Sequence, residues 1–576
     1  MEEPAPTAAR RALDRARARV ARLLQDPSAR MLLLGAAAGL VGGGVAGLFD
    51  FARLVVGQMA LGTADPSVHA IPWWRALLVP VLGGVLASAV LRLGAVERPA
   101  GISSLIEAVQ LRGGRLRLRD GALTAAAAAL SLGTGHAGGR EAPVAALAGA
   151  LFSSVGARLR LRSGELRVLV AGAAAAAISA SFNTPLGSAA LALELLLGSF
   201  ALKHFGPVVT ASVVGTLVGQ ALLGERVAFH APGFTLERPA ELVAYAALGA
   251  ACGVVAVLFQ VAVTWTDRLV ARLGPTPLLR GAVSGAVVGG LGALGLTGVM
   301  GTGYALVDRV LADPGALGVP LLLALLVGKG VATAATFGGR GGAGLFSPIL
   351  MVGAVAGSLF GLVVQLLSPE ASAGSYGLVA MGAVSAAVLR APLAMVLVLF
   401  ELTGSYTVVP TTLITISVAL LVTSGFGPAS LHEALLGARG VPLHPEVPEA
   451  LRARAVGELM QRDGYVTVPE RPALDAVVAA FQRTRDDVVW VVDDAGRYRG
   501  AIDVQDLVDA LGGGGSGEGI VVQIPPLSPA LPVGEAVARL AAPDVDALPV
   551  VDEAGRLIGV LYEHALLEVL GAREGG

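Results

Sequence analysis

The chain has 576 residues, of which 54% are apolar, 15% charged and 5% aromatic, with a net charge of −1. Soluble domains carry about a quarter charged residues, so a mean hydropathy of +0.72 makes lipid the solvent for most of this chain. The near-zero charge excludes a nucleic-acid partner, and a single cysteine, Cys252, excludes a disulfide framework and a cysteine metal site.

Residues 1–30 hold Arg10, Arg11, Arg15, Arg17, Arg19, Arg22 and Arg30 at the spacing of a surface helix, which the positive-inside rule places in the cytoplasm. The apolar run from Met31 is too long for a signal-peptide core and lacks a cleavage site. Charge stays sparse over 31–440 and rises after Val441 to about the quarter of an ordinary soluble domain. The expected plan is therefore a membrane domain at 31–440, a Gly/Pro linker at 441–451 and a soluble tail.

Apolar segments are predicted near 31–61, 74–95, 121–133, 143–157, 166–200, 204–223, 240–271, 278–300, 317–336, 345–367, 375–402 and 407–426. Several are shorter than the ~20 residues of a bilayer span, and 166–200 is interrupted at Asn183-Thr184-Pro185. Broken helices at membrane depth must be buried in protein or line a watery cavity, the signature of a transporter or channel.

Two halves are visible from spacing. Gly139-Arg140-Glu141-Ala142-Pro143 and Gly344-Leu345-Phe346-Ser347-Pro348 each open an apolar helix, their prolines 205 residues apart. Pro185-Leu186 precedes Glu194 as Pro392-Leu393 precedes Glu401, at an offset of 207. A Gly-rich turn into a helix start leaves backbone N–H groups unpaired at the positive end of the helix dipole, an anion site in a membrane. Pro99-Ala100-Gly101-Ile102-Ser103 is a third such start. Glu141, a carboxylate inside a membrane segment, is functional by default; it can occupy the anion site itself and leave on protonation, which makes it the candidate gate. A salt bridge with Arg140 is the alternative. Glu194 and Glu401 follow long apolar runs, where capping or pairing competes with carrying protons.

These motifs resemble those of the CLC family of chloride channels and chloride/proton antiporters. Gly139 to Pro143 resembles its GREGP segment, which carries the gating glutamate. Lys329 through Thr333, Thr336 and the glycines running into Gly344-Leu345-Phe346-Ser347-Pro348 resemble its run ending in GxFxP, and Phe182-Asn183-Thr184-Pro185-Leu186 resembles its FNxPL turn. The resemblance implies an all-α polytopic domain of two inverted repeats with broken and half-length helices. It further implies a homodimer with one pore per subunit, in a plasma (inner) membrane with cytoplasmic termini. Ala100, Gly101, Ile102, Arg140, Ala142, Gly344, Leu345, Phe346 and His432 would then face the anion.

Three departures bear on mechanism. Ala100 stands where the family's first anion motif has a serine, so no hydroxyl is expected there. His432, in Ser430-Leu431-His432-Glu433, stands where the family has a tyrosine; imidazole can donate to an anion and brings pH sensitivity. Leu195 stands where many antiporters have an inner glutamate after the one matching Glu194, so the proton relay is expected to be missing or rerouted. Channel and proton-coupled exchanger remain alternatives, and fluoride and nitrate stand beside chloride.

In the tail, Val491-Val492-Asp493-Asp494-Ala495-Gly496-Arg497 recurs as Val550-Val551-Asp552-Glu553-Ala554-Gly555-Arg556. Each copy is an α/β unit too small to bury its core alone. The pair resembles tandem CBS domains at 452–511 and 519–576, joined by a flexible Gly-rich linker at 512–518. The resemblance implies an adenine nucleotide as ligand. The hydroxyl position of that site reads Asp503 and the ribose-type acid Asp506 in the first copy, and Tyr562 and Ala565 in the second. A structural dimerisation module is therefore the alternative, and no other cofactor or metal is expected. Two rival classes fit poorly. A CBS-bearing magnesium transporter would line its path with acids, and a hydrolase would need more than Ser131 and His136.

Overall fold

The structure, a computed structural model, describes residues 26–96, 99–224, 229, 241–271, 276–426, 430–437, 454–484, 486, 488–504, 507, 521–533, 535–536 and 547–562. The arginine-rich run before residue 26, both linkers and Asp506 lie outside them. The chain divides into a unit ending at Leu443 and one beginning at His444.

The first unit is helical: α1 (Pro27–Leu61), α2 (Trp73–Leu93), α3 (Ile102–Leu111), α4 (Leu118–Gly133), α5 (Glu141–Arg158), α6 (Ser163–Phe182), α7 (Pro185–Leu191) and α8 (Leu202–Leu223). It continues with α9 (Glu241–Ala271), α10 (Pro277–Ala293), α11 (Tyr304–Ala312), α12 (Pro314–Leu317), α13 (Val319–Gly338), α14 (Phe346–Leu367), α15 (Ala373–Leu389), α16 (Pro392–Thr403), α17 (Val408–Ser424) and α18 (Leu431–Gly437). Seven of them are long and apolar enough to cross a membrane.

Local chemistry sets the boundaries. Asp26 caps α1 by accepting from the Ser28 N–H at 2.9 Å, so the helix starts at Pro27, four residues before the expected Met31. The predicted segment 166–200 is two helices, because Asn183 turns left-handed at φ 60° and Pro185 restarts the chain. Arg390 (φ 58°) and Pro392 divide 375–402 in the same way. Beyond Leu191 the chain widens into a π-turn over Ala192–Leu197. Short α11 was not expected as a helix, since nine residues give too little periodicity to stand out.

Helices approach closely where side chains vanish. On α2 and α10, a Cβ on Gly84 would run into the Gly281 carbonyl, and one on Gly281 into that of Gly84.

The two halves meet through reciprocal bonds. The Gly139 N–H donates to Gly344 O and the Gly344 N–H to Gly139 O, both at 2.7 Å, an antiparallel bridge that joins the two predicted motifs directly.

In the second unit β1 (Thr467–Pro469) pairs parallel with β2 (Val488–Val492), and β2 pairs antiparallel with β3 (Tyr498–Asp503). A helix, α19 (Leu474–Arg483), covers them, and β4 (Ala547–Val551) pairs antiparallel with β5 (Leu557–Tyr562). The duplication is literal: Asp493 accepts from the Ala495 and Arg497 N–H groups, and Asp552 from those of Ala554 and Arg556. These bonds, first the one from Arg497 or Arg556, hold both carboxyls below the usual carboxylate range. Trp490, Ala501, Ala547, Val560 and Tyr562 form one buried cluster drawn from both copies, the shared core that neither copy could bury alone.

Candidate anion site

Three helix starts converge on one cavity of about 130 Å³. Ala100, Gly101 and Ile102 line it at the start of α3, Glu141 and Ala142 at the start of α5, and Gly344, Leu345 and Phe346 at the start of α14. Gly101, Arg140 and Leu345 are the residues before the respective first turns, and none makes a side-chain cap bond. The first-turn N–H groups of all three helices are thus left without the partner a Ser, Asp or Asn would supply. Their dipoles sum toward the cavity.

Glu141 is 1% exposed. Its Oε1 accepts from the Tyr304 hydroxyl. Oε2 has no hydrogen-bond partner among the described residues and lies against Gly139, where a Cβ would run into it. Gly139 therefore does two things: its peptide bridges to Gly344, and its missing side chain makes room for the carboxylate. Nothing in the sequence marks Tyr304, which lies 163 residues from Glu141 and belongs to none of the motifs.

Arg140 corrects an expectation. Its guanidinium donates to Asp50 Oδ1 at 2.8 Å and to the Ser181 carbonyl at 2.8 Å, and lies 5.3 Å over the Tyr304 ring. It neither lines the cavity nor pairs with Glu141, because a buried cation needs a fully satisfied partner. Asp50 provides it, held also by Arg53 at 2.8 Å. Asp50 was legible in principle as an acid within the apolar run 31–61.

The lining also includes His432, Leu195 and Asp267. His432 Nδ1 lies 3.0 Å from Ser103 Oγ, and both residues are buried. The hydroxyl missing at Ala100 is thus present three residues later. With Nδ1 protonated, His432 donates to Ser103 Oγ and the serine hydrogen is released toward another acceptor. His136 is buried, its Nδ1 3.2 Å from the Ser131 carbonyl, and does not line this cavity.

Of the alternatives left open for Glu194, the structure shows the cap. Both of its oxygens accept backbone N–H groups at the start of α16, Leu393 at 3.2 Å and Ala394 at 2.8 Å. Glu401 reciprocates at the start of α7, accepting from Leu186 and Gly187 at 2.7 Å. A carboxylate so placed satisfies a helix N-terminus as a cap. Leu195, next to it on the π-turn, faces the cavity. In the tail, Asp503 ends β3 and Tyr562 donates to Asp486 Oδ2 at 2.7 Å.

Residues 83–424 match the family model described as voltage gated chloride channel, and residues 456–513 and 521–572 match that of the CBS domain. A ClcB-like protein of Ralstonia nicotianae is 33% identical over 350 residues, 60% of this chain and 81% of its own. The H(+)/Cl(-) exchange transporter ClcA of Vibrio cholerae is 28% identical over 314 residues, 53% of this chain and 67% of its own. The crystal structure of a eukaryotic CLC transporter shares the fold, with a TM-score of 0.67 at 19% identity, covering 93% of this chain and 98% of that one. The chain therefore belongs to the voltage gated chloride channel family: a polytopic membrane protein of CLC-type anion transport, not an enzyme, with a CBS domain pair after its membrane domain.

Proposed function

We propose that this chain is a chloride-class anion channel in which Glu141 is the gate. One observation carries the reading: three uncapped helix N-termini open onto a single cavity whose lining includes the buried carboxylate of Glu141. Ionised, Glu141 fills the position that attracts anions; protonated, it loses that attraction and yields to the permeating ion. The N–H groups around Gly101, Ala142, Leu345 and Phe346 receive the anion, and the Ser103–His432 pair meets it on the inner side.

Uncoupled flow is favoured by the inner wall. Leu195 cannot carry a proton, and both oxygens of Glu194 are engaged by α16. Coupled exchange has one observation in its favour, since Asp267 lines the same cavity and would have to stand in as the inner proton acceptor.

Anion selectivity tests the inner donors. In liposomes holding the purified chain, His432→Ala and Ser103→Ala are expected to change the ratios of chloride, nitrate and fluoride efflux by severalfold, because each removes one donor worth about 1 kcal/mol. Unchanged ratios in both variants would take this pair out of the anion path.

The reading includes a homodimer in a plasma (inner) membrane with cytoplasmic termini. Leu186 on α7 and Leu393 on α16, equivalent in the two halves, are 43% and 51% exposed, apolar surface that a second copy would cover. For the tail we favour a structural pair over a nucleotide sensor. Tyr562, at the place a Thr or Ser hydroxyl would take in a nucleotide site, is bonded to Asp486. Added ATP, ADP or AMP is expected to leave the melting temperature unchanged; a rise would assign the tail a nucleotide site.

A further inference from the structure

Tyr304 is the first residue of α11, entered through Gly303 at φ 84°. The turn before it is fastened to the segment that carries the gate: the Gly301 N–H donates to Gly135 O at 3.1 Å, and the Gly138 N–H to Gly301 O at 3.4 Å. Buried Lys329 holds the same turn, its Nζ donating to Val299 O at 3.0 Å and Gly301 O at 2.9 Å. The ring is fixed as well. Phe182 and Phe229 meet it edge-on, with centroids at 5.9 and 5.2 Å, and the Arg140 guanidinium covers it. The tyrosine hydroxyl is thus positioned by groups other than the carboxylate it bonds.

We propose that Tyr304 is the latch of the gate and, once Glu141 leaves, the side-chain donor to the anion that replaces the carboxylate. A buried O–H without an acceptor is costly, so the release of one acceptor is favoured when another enters. A small anion such as chloride or nitrate accepts a single O–H as a carboxylate oxygen does. Swapping acceptors at a fixed donor ties opening of the gate to arrival of the ion. The charged groups beside the Tyr304–Glu141 pair are Arg140 with its partner Asp50, Arg53 behind Asp50, and Lys329 of α13, each held by its own partners. Asp267 and Arg340 line the same cavity as Glu141, and none of these groups hydrogen-bonds the carboxylate. The proposal rests on the gate reading above.

The test uses the full chain in proteoliposomes, with chloride efflux measured across a series of external pH values and chloride concentrations. Tyr304→Phe keeps the ring and removes the donor. Because a hydrogen bond to the carboxylate favours its ionised form, flux at neutral pH is expected to rise about tenfold. The pH of half-maximal flux should move up, and the half-saturating chloride concentration should rise severalfold. In a Glu141→Gln background the same change is expected to raise half-saturation without further altering the pH profile, whereas loss of packing alone would lower flux equally in both backgrounds. Should Tyr304→Phe fail to fold, 3-fluorotyrosine at position 304 keeps the packing and strengthens the donor, and the pH of half-maximal flux is expected to move down. Wild-type pH profile and half-saturation in these variants would overturn the latch. A wild-type chain that passes no anion would overturn the transport reading instead.

Discussion

Glu141→Gln is expected to give anion flux that no longer responds to pH and that stays at the level the wild type reaches only in acid. Glutamine retains a carbonyl oxygen that the Tyr304 hydroxyl can reach, so the local packing is preserved. It cannot ionise, and so loses the attraction to the α5 and α14 N-termini that holds the carboxylate in the path. Hydrogen bonds to a charged group contribute about 1.5–3 kcal/mol, so the neutral-pH flux should rise roughly 10- to 100-fold. Efflux from liposomes at stepped external pH reads it directly. A variant with the wild-type slope against pH would remove Glu141 from gating and leave it a structural carboxylate.

The second large effect is on stability. Glu194→Ala and Glu401→Ala each leave two backbone N–H groups at a helix start without an acceptor. Loss of either cap is expected to cost about 2 kcal/mol, seen as a lower melting temperature in detergent. The Gln variants keep one acceptor oxygen and should lose less. Because the caps tie α7 of one half to α16 of the other, the double variant should lose less than the sum of the two single losses if the joint opens as a unit once either cap is gone. Were Glu194 a proton carrier instead, Glu194→Gln would leave stability nearly intact and alter proton movement. That pattern would restore the role from which the cap removes it.

Why some of this could be read from the chain and some could not is clear residue by residue. Gly139 to Pro143 and Gly344 to Pro348 stand out because glycine and proline punctuate a helix start whatever surrounds it, and their near-equal offset to Pro185 and Pro392 exposes the duplication. The CBS copies are legible for the same reason: Asp493 and Asp552 sit in identical turns. Side-chain direction is a different matter. Arg140 lies beside Glu141 in sequence, yet turns toward Asp50, 90 residues earlier. Glu194 and Leu195 are adjacent, and only the π-turn decides that the acid meets α16 while the leucine meets the cavity. Tyr304 belongs to no motif, and Ser103 closes the Pro99–Ser103 helix start without being marked there as a donor; where each side chain lies follows from which helices converge. A hydroxyl lost at Ala100 and regained at Ser103 is invisible to any position-by-position reading, because the cavity requires a donor at a place in space rather than at a place in the chain.

The most direct test of the whole account records chloride efflux and internal pH together from liposomes loaded with the wild-type chain. The account predicts that chloride runs down its gradient, faster at acid external pH, with no proton movement beyond that of protein-free vesicles. Proton movement against its gradient, driven by chloride at a fixed ratio, would contradict it. That result would make the chain an exchanger and turn attention to Asp267.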